Sequence, residues 1–275
     1  MNRIINFCPT GTQPTKTNSW APIEINEIID DVASCADIGI TLVHLHARDE
    51  KGRNTHRKDV FQRIIEGVRK HAPDLPICVS LSGRYTQDVA QRTEVLSLRP
   101  DMASLTMSSM NFPKQASIND PDTIRSLIDS MDKYGVNPEI ECFDSGMLHY
   151  TNYLIERKIL PDLVYINVIL GNLFNAQSDL ATVSALLRQL PKTARTCFGG
   201  FGTHQLKANV LGLLEADGIR IGLEDNLYLH GKEKATNAQL LTRIHALMEQ
   251  MNYSCMSPAT FKQLGYGNRA VNCAG

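Results

Sequence analysis

The sequence lacks long apolar runs and blocks of like charge, and each absence excludes a class of protein. No run of about 18 apolar residues occurs in the 275-residue chain, so the sequence predicts no membrane-spanning helix. Lysine and arginine total 28 against 29 aspartate and glutamate residues, and the formal net charge is −1. With no basic cluster, we expect no nucleic-acid and no membrane partner. A small acidic substrate is compatible with these totals, because a few local arginines suffice to bind one.

Paired cysteines are also missing. The seven cysteines are an odd number and form no C-x-x-C pair. Cys78, Cys142 and Cys197 lie in apolar, strand-like runs. This pattern favours reduced, buried thiols in a cytoplasmic protein. The first residues, MNRIINFCPTG, contain no long apolar segment followed by a cleavage site, so we expect no signal peptide.

What the sequence does contain is a regular alternation of short apolar runs and amphipathic stretches. Eight strand–helix units in succession predict a parallel sheet covered by helices. Because eight such units close a barrel of about 250 residues, we predict an α/β fold, a (β/α)8 TIM barrel that forms one domain over residues 1–275. An open doubly wound sheet is less favoured, since no G-x-G-x-x-G follows the first strand. The predicted strands are 3–8, 41–47, 76–81, 101–106, 138–143, 162–170, 194–198 and 218–223, and the predicted helices are 24–38, 58–71, 86–97, 121–134, 147–158, 178–189, 204–216 and 236–251.

Cap-like residues precede several predicted helices. Thr86 and Ser178 carry side-chain oxygens that can accept from the first helical N–H groups. Asp120 stands before Pro121, and proline is favoured as the first residue of a helix.

Two histidines stand two positions apart in the run VHLH. Side chains alternate along a strand, so His44 and His46 point one way and Val43 and Leu45 the other. In a barrel the apolar pair packs on the helices, and the histidines face the axis at the strand end where barrel active sites form. They can converge on one cation or form a hydrogen-bonded pair in the core, and H-x-H alone leaves both interpretations open.

The eighth predicted strand ends in IRIGLEDN, which supplies a third ligand. In a closed barrel strand eight lies two strands from strand two, so Glu224 can reach the two histidines. Two histidines, a glutamate and an open position are the ligand set of a catalytic zinc site. Glu224 and Asp225 together can also cap a helix, but with both motifs present the metal site is favoured. Arg220 lies on the same face and can pair with Asp225, either to position a general base or as a structural salt bridge.

Hydroxyl groups and a glycine-rich turn occur at other strand ends. Ser80, Ser82, Ser104 and Thr106 can donate to a substrate oxygen, although serine and threonine at strand ends are also common helix caps. In the turn GGFG, Gly200 and Gly202 follow the seventh strand, where barrels often bind phosphate through backbone N–H groups. A glycine turn alone is weak evidence for such a site.

Taken in order, these motifs resemble one known family. The segments PTG (9–11), HLHARD (44–49), NF (111–112), PEIECFDSGM (138–147), IRIGLEDNLY (219–228) and TNAQL (236–240) are similar to those of the β-keto acid cleavage enzymes. The resemblance extends over essentially the whole chain. It implies a (β/α)8 barrel that binds one Zn²⁺, uses acetyl-CoA as co-substrate, and assembles as a homo-oligomer, a dimer or a tetramer. The implied reaction converts a β-keto acid and acetyl-CoA into acetoacetate and a new acyl-CoA.

The resemblance also implies roles for individual residues. It places the zinc ligands at His44, His46 and Glu224 and the proton-abstracting pair at Arg220 and Asp225. It places substrate-binding groups at Ser80, Ser104 and Glu141.

One position departs from the members that take an amino-substituted keto acid. Those members carry an acidic residue two places after the TG of the first strand, and this chain has Gln13 there. A neutral amide cannot pair with an ammonium group as a carboxylate can. Arg84 adds a positive charge near the same rim, so we expect a neutral or acidic β-keto acid as substrate.

Two other functions fit the same residues. A zinc hydrolase or an aldolase-type lyase on a TIM barrel needs no acetyl-CoA. A protein that keeps zinc only for structure would have four protein ligands, and the sequence indicates three.

Overall fold

The computed structural model describes residues 1–12 and 18–269, and within these ranges eight parallel strands close into a barrel with helices between them. The eighth strand pairs with both the seventh and the first, which closes the sheet. The (β/α)8 barrel predicted from the sequence is confirmed. The barrel strands are β1 Asn2–Phe7, β2 Leu42–Leu45, β3 Ile77–Val79, β4 Met102–Thr106, β5 Asn137–Cys142, β6 Tyr165–Leu170, β7 Arg195–Gly200 and β8 Gly218–Ile221.

Amphipathic helices cover the outside of the barrel. In the second of them, Val60, Phe61, Ile64, Ile65 and Val68 are all buried, which is the three-and-four spacing that the sequence shows. The predicted third helix is only a short α-helix continued by a 3₁₀ turn over Glu94–Leu98. The helices are α1 Ile25–Ile38, α2 Lys58–His71, α3 Val89–Thr93, α4 Pro121–Tyr134, α5 Ser145–Glu156, α6 Leu180–Leu187, α7 His204–Glu215, α8 Asn237–Gln250 and α9 Pro258–Phe261.

Two of the cap predictions were wrong by one or two residues. The caps of α3 and α6 are Asp88 and Asp179, whose carboxylates accept from N–H groups of the first turn. Thr86 Oγ1 instead accepts from the Asp88 N–H, and Ser178 Oγ lies 2.9 Å from His204 Nδ1. Aspartate was the nearer oxygen acceptor in both cases. At α4, Asp120 caps the helix with Pro121 following, as predicted.

The floor of the barrel is closed by a segment that follows α8. Its strand Ser254–Cys255 pairs with Asn2 and Arg3 of β1. Beyond it, Phe261 and Tyr266 pack against Tyr165 in the lowest layer of the barrel interior. The opposite, carboxyl-terminal end of the strands is therefore the open one.

Three short hairpins that the sequence did not reveal surround that open end. They pair residues 47–48 with 54–55, 110–112 with 115–117, and 228–230 with 233–234. Their strands have only two or three residues and no apolar run, so no periodicity marks them. Of the helices in residues 1–12 and 18–269, none has the length and apolar character needed to cross a bilayer.

Candidate active site

The three predicted metal ligands meet at the open end of the barrel. His44 lies in β2 and His46 follows it directly, and their ring centroids are 5.3 Å apart. Glu224 comes from the loop after β8, with Oε1 3.2 Å from His46 Nε2 and Oε2 3.9 Å from His44 Nε2. One ligand atom from each residue lies within 4.8 Å of the other two. Two imidazoles and a carboxylate at this spacing can hold one divalent cation.

The second nitrogen of His44 is held by a carboxylate inside the barrel. His44 Nδ1 lies 2.8 Å from Glu139 Oε1, and Glu139 is fully buried. The same oxygen accepts from Asn167 Nδ2 at 2.9 Å. In the neutral tautomer that donates from Nδ1 to Glu139, Nε2 keeps the lone pair that a metal ion requires. A carboxylate behind a ligand histidine is the usual support of a metal site, so the donor set fits a metal ion.

The Arg220 guanidinium contacts four carboxylates. Its Nε donates to Asp225 Oδ2 at 2.9 Å, and its terminal nitrogens contact Glu141 at 3.0 Å, Glu224 at 2.6 Å and Glu139 at 3.4 Å. The predicted Arg220–Asp225 contact is thus present within a larger network. A buried excess of carboxylates is unfavourable unless cations neutralise it, which again fits a divalent ion beside the histidines.

Protonation of the site follows from this charge distribution. Burial opposes protonation of His44, but the charges of Glu224 and Glu139 outweigh it and raise its pKa to about 9. Burial lowers the pKa of His46. Burial also raises the pKa of Asp225 to about 6, against the opposing effect of Arg220. For Glu224 the positive charges of Arg220 and the histidines overcome burial and depress the pKa.

A cavity opens beside Glu224 and gathers most of the predicted substrate-binding residues. Ser80, Ser82, Thr106 and Glu141 line it, and Thr106 Oγ1 donates to Glu141 Oε2 at 2.9 Å. The opposite wall is aromatic and was not predicted. It consists of Phe112, Phe143 and Phe201, whose ring centroids are 6.0 to 6.3 Å apart.

Arg84 also lines this cavity. Its Cζ lies 3.4 Å from the centroid of the Phe112 ring, and its Nη1 donates to Thr12 Oγ1 at 2.6 Å. In the part of the chain that the structure describes, no carboxylate lies within 4.0 Å of its guanidinium. Gln13, the position next to Thr12, falls outside the described residues.

Three other predicted residues lie away from the cavity. Ser104 is buried, and its Oγ accepts from the Leu81 N–H at 3.0 Å, which is a structural contact. Gly200 is buried at the end of β7, where a Cβ would approach the His204 carbonyl to 2.8 Å. Gly202, with φ of +54°, faces open space in a separate cavity of about 150 Å³ that Thr203, Asn226 and Arg243 also line.

Sequence analysis expected one of the two glutamates in PEIEC to face inward and assigned a role to Glu141 but none to Glu139, and it missed the aromatic wall. The signal for Glu139 was present: in PEIEC two glutamates occupy alternate positions of one strand, so both face the barrel interior. The three phenylalanines come from three separate loops, and no local pattern brings them together.

Comparison with known proteins assigns the chain to a family. The family model for the beta-keto acid cleavage enzyme matches residues 2–265. A 3-oxoadipate:acetyl-CoA acetyltransferase of Cupriavidus necator is 35% identical over 253 residues, which are 90% of this chain and 88% of the relative. A 3-keto-5-aminohexanoate cleavage enzyme of Fusobacterium nucleatum is 28% identical over 95% of this chain and 96% of its own.

Solved structures agree on the fold. The ternary complex of ObcA with C4-CoA adduct and oxalate superposes with a TM-score of 0.76 at 18% identity, over 90% of this chain and 67% of that one. At such low identity the likeness concerns the fold alone. The family model and the relative from Cupriavidus necator carry the assignment that the sequence motifs predicted: this chain belongs to the β-keto acid cleavage enzyme family.

Proposed function

We propose that the protein is a zinc-dependent acyltransferase that converts a β-keto acid and acetyl-CoA into acetoacetate and a new acyl-CoA. The observation that carries the proposal is the convergence of His44, His46 and Glu224 within 4.8 Å, in a chain that the family model covers from residue 2 to 265. Relatives named as acetyl-CoA-dependent transferases support acetyl-CoA as the co-substrate.

His44, His46 and Glu224 are the residues that would hold the ion. When bound there, Zn²⁺ supplies a Lewis acid that polarises the substrate carbonyl and makes the neighbouring methylene more acidic. Glu139 keeps His44 in the tautomer that presents Nε2, and three protein ligands leave a coordination position for substrate.

Asp225 is the proposed general base. The Arg220 Nε–H holds its carboxylate through Oδ2 next to the ligand Glu224. There it takes a proton from the methylene between the ketone and the carboxylate of the β-keto acid. The resulting carbanion attacks the acetyl carbon of acetyl-CoA, which forms a C–C bond and releases the CoA thiolate.

Cleavage of the resulting intermediate follows, and in it the CoA thiolate is the nucleophile and Asp225 the proton donor. The thiolate attacks the original ketone carbon, and the bond between that carbon and the former methylene breaks. The acyl group leaves as acyl-CoA, and the proton held by Asp225 returns to carbon to give acetoacetate. The hydroxyls of Ser80 and Ser82 line the cavity in which negative charge develops on oxygen, and we assign them to its stabilisation. Thr106, which donates to Glu141, we assign to the orientation of that carboxylate.

Arg84 indicates an acidic side chain on the substrate. Its guanidinium is enclosed against Phe112, and burial lowers its pKa without neutralising it. A carboxylate at the far end of a dicarboxylic β-keto acid would supply the missing counter-ion. The relative from Cupriavidus necator, named for the dicarboxylic 3-oxoadipate, supports this choice.

The CoA phosphates have a candidate site beyond the catalytic cavity. Gly202 and Thr203 stand at the start of α7 and line the 150 Å³ cavity together with Arg243, whose guanidinium has no carboxylate within 4.0 Å among the residues described. A guanidinium suits a phosphate, and it carries this assignment, because the N–H groups of Gly202, His204 and Gln205 already donate to backbone carbonyls. Gly200 contributes through the close approach of β7 to α7 that its missing side chain permits.

A substrate screen tests the proposal. Purified protein is assayed with dicarboxylic, neutral and amino-substituted β-keto acids, with and without acetyl-CoA, and acyl-CoA products are identified by mass. We expect acetoacetate and acyl-CoA only when acetyl-CoA is present, with dicarboxylic acids favoured, and about one zinc per chain. Turnover without acetyl-CoA would instead identify a hydrolase or a lyase. Fastest turnover of the amino-substituted β-keto acid would contradict the role of Arg84.

A further inference from the structure

A buried asparagine at the first residue of α8 joins three segments of the barrel. Asn237 is 1% exposed. Its Oδ1 accepts from the Leu223 N–H at 2.9 Å, and its Nδ2 donates to the Pro9 carbonyl at 2.9 Å and to Asp31 Oδ2 at 2.7 Å. The side chain thus connects the end of β8, the end of β1 and helix α1, and every hydrogen-bonding group of its amide is used.

Two of these segments enclose the proposed metal ligand Glu224. Leu223 precedes it in the chain, and the Glu224 N–H donates to the Cys8 carbonyl at 3.2 Å. Gly11, two residues after Pro9, is so close that a Cβ there would come within 2.5 Å of Glu224 Cγ. The offset between the ends of β1 and β8 therefore determines where the Glu224 carboxylate lies.

We propose that Asn237 is a positioning residue for Glu224. It contacts neither the histidines nor the cavity, but its amide holds Leu223 at a fixed distance from Pro9, so that Glu224 reaches His44 and His46. The amide accepts from one backbone segment and donates to the other, which neither an apolar side chain nor a carboxylate can do. The inference rests on the proposed metal centre.

Asn18 offers a matched control on the same side of the barrel. It is equally buried, at 1% exposed, and its Nδ2 donates to the carbonyls of Leu227 and Ala235 at 3.2 and 3.0 Å. It therefore also ties the loop after β1 to the segment before α8. None of its hydrogen bonds among the described residues reaches 222–224.

The experiment measures zinc affinity rather than turnover. Apoprotein is titrated with Zn²⁺ alone against a chelating dye, and circular dichroism with thermal unfolding monitors the fold. We expect Asn237→Ala to weaken zinc binding about 10- to 100-fold, the usual effect of removing a support of a metal ligand. Asn18→Ala should lower thermal stability while the zinc dissociation constant stays at the wild-type value.

An exchange of donor and acceptor provides a second variant. Asn237→Asp alone places two carboxylates in the 2.7 Å contact with Asp31 and should weaken zinc binding at least as much as Asn237→Ala. Adding Asp31→Asn restores the contact with its polarity reversed, keeps an acceptor for the Leu223 N–H and returns the net charge to that of the wild type. The new carboxylate cannot donate to the Pro9 carbonyl, however, so we expect this pair to fold and still to bind zinc about 10- to 100-fold more weakly than the wild type.

The outcomes separate this inference from the proposed function. Wild-type protein that binds no zinc would overturn the metal centre and the role of Asn237 together. Wild-type zinc affinity in a folded Asn237→Ala protein would overturn the role of Asn237 alone. If Asn237→Ala does not fold, wild-type zinc affinity in the folded exchange pair, which lacks the donor to Pro9, would also overturn it.

Discussion

At the scale of single residues, the positive charge of Arg220 partly neutralises the carboxylates of the site. Its guanidinium contacts Glu139, Glu141, Glu224 and Asp225 at distances from 2.6 to 3.4 Å. Removing it would leave several buried carboxylates without a counter-charge, at about 3–5 kcal/mol or more. Loss of activity in an Arg220 variant would therefore not distinguish catalysis from folding, and substitutions at its neighbours are more informative.

Replacement of a ligand histidine should remove the metal. His46→Ala deletes one of three ligands at the cavity wall, so zinc content should fall from about one per chain to a small fraction and turnover should vanish. Metal analysis of dialysed protein and circular dichroism measure the two effects. His71→Ala, at an exposed position on α2, is the control and should retain both metal and activity. Stoichiometric zinc in the His46 variant would refute the ligand assignment.

Replacement of the proposed base should separate metal binding from turnover. Asp225→Asn keeps the size of the side chain and leaves His44, His46 and Glu224 in place, so zinc content should persist. The rate constant kcat should fall about 10²- to 10⁴-fold, because an amide cannot take the methylene proton. Both are measured on one preparation. A near-normal kcat would exclude Asp225 as the base.

Removal of the Arg84 charge should change substrate preference. With Arg84→Gln, kcat/KM for 3-oxoadipate should fall about 10- to 100-fold through loss of a charge-assisted hydrogen bond. For 3-oxohexanoate, which has the same length but no second carboxylate, kcat/KM should change little. Arg53→Gln, at a 70% exposed side chain, should affect neither substrate. An equal loss for both substrates would contradict recognition of the distal carboxylate.

Some residues of the candidate site can be predicted from the local sequence pattern, and others cannot. His44 and His46 could be predicted because alternation along the strand fixes their side-chain direction. Glu224, in the loop after β8, was predicted from the closure of the barrel, which brings the eighth strand near the second. Ser104 has the same alternation, yet its hydroxyl bonds to the backbone of β3's continuation at Leu81. Which hydroxyl faces the substrate depends on the register between strands, and no local pattern encodes that register.

At the scale of elements, helices α1 and α8 are joined by a hydrogen bond to a carboxyl group whose pKa is raised by burial. Asp31 on α1 accepts from Asn237, and burial raises its pKa from 3.8 to about 6. As pH rises from about 4 to 6, the unfolded chain loses this proton before the folded one. Folding stability should therefore fall across that window, by about 2 to 3 kcal/mol at most.

Asp31→Asn should abolish this component of the pH dependence. The amide keeps an acceptor for Asn237 but does not ionise, so the variant should gain stability relative to wild type as pH rises from 4 to 7. Urea unfolding at several pH values measures the difference. Asp37→Asn, at an exposed position of the same helix, serves as the control. Parallel stability curves for wild type and Asp31→Asn would rule out this effect of Asp31.

The regular elements were predictable because their periodicity is strong. Helix α2 follows its three-and-four spacing over all of Lys58–His71, and β4 matches its apolar run within a residue. The hairpins around the mouth were not predictable, since the pair 47–48 and 54–55 is too short to show any period.

At the scale of the whole molecule, the closed floor of the barrel contributes buried packing, and its open mouth holds the candidate active site. Phe261 is fully buried beneath Tyr165, with ring centroids 5.4 Å apart, at the end opposite the metal site. One buried cluster extends through the helices and strands from Ile5 to Met248. We infer from it that the described residues, 1–12 and 18–269, form one domain.

Shortening a buried side chain at the floor of the barrel should lower the stability of the fold and leave the candidate active site intact. Phe261→Ala removes a buried ring and should lower the free energy of unfolding by about 3–5 kcal/mol. Zinc affinity and kcat at low temperature should stay near wild type. Leu214→Ala, at a side chain that is 52% exposed, should cost little by the same urea assay. A large change in zinc affinity for Phe261→Ala would show that floor and mouth are coupled.

The distance along the chain between the ligands has a consequence for biosynthesis. Glu224 stands 178 residues after His46, and the strand that leads to it must pair with β1. A ribosome delivers these segments at opposite ends of translation, so a nascent chain displays two histidines long before the glutamate emerges. The proposed metal centre can therefore be completed only after Glu224, in the last quarter of the sequence, has been synthesised.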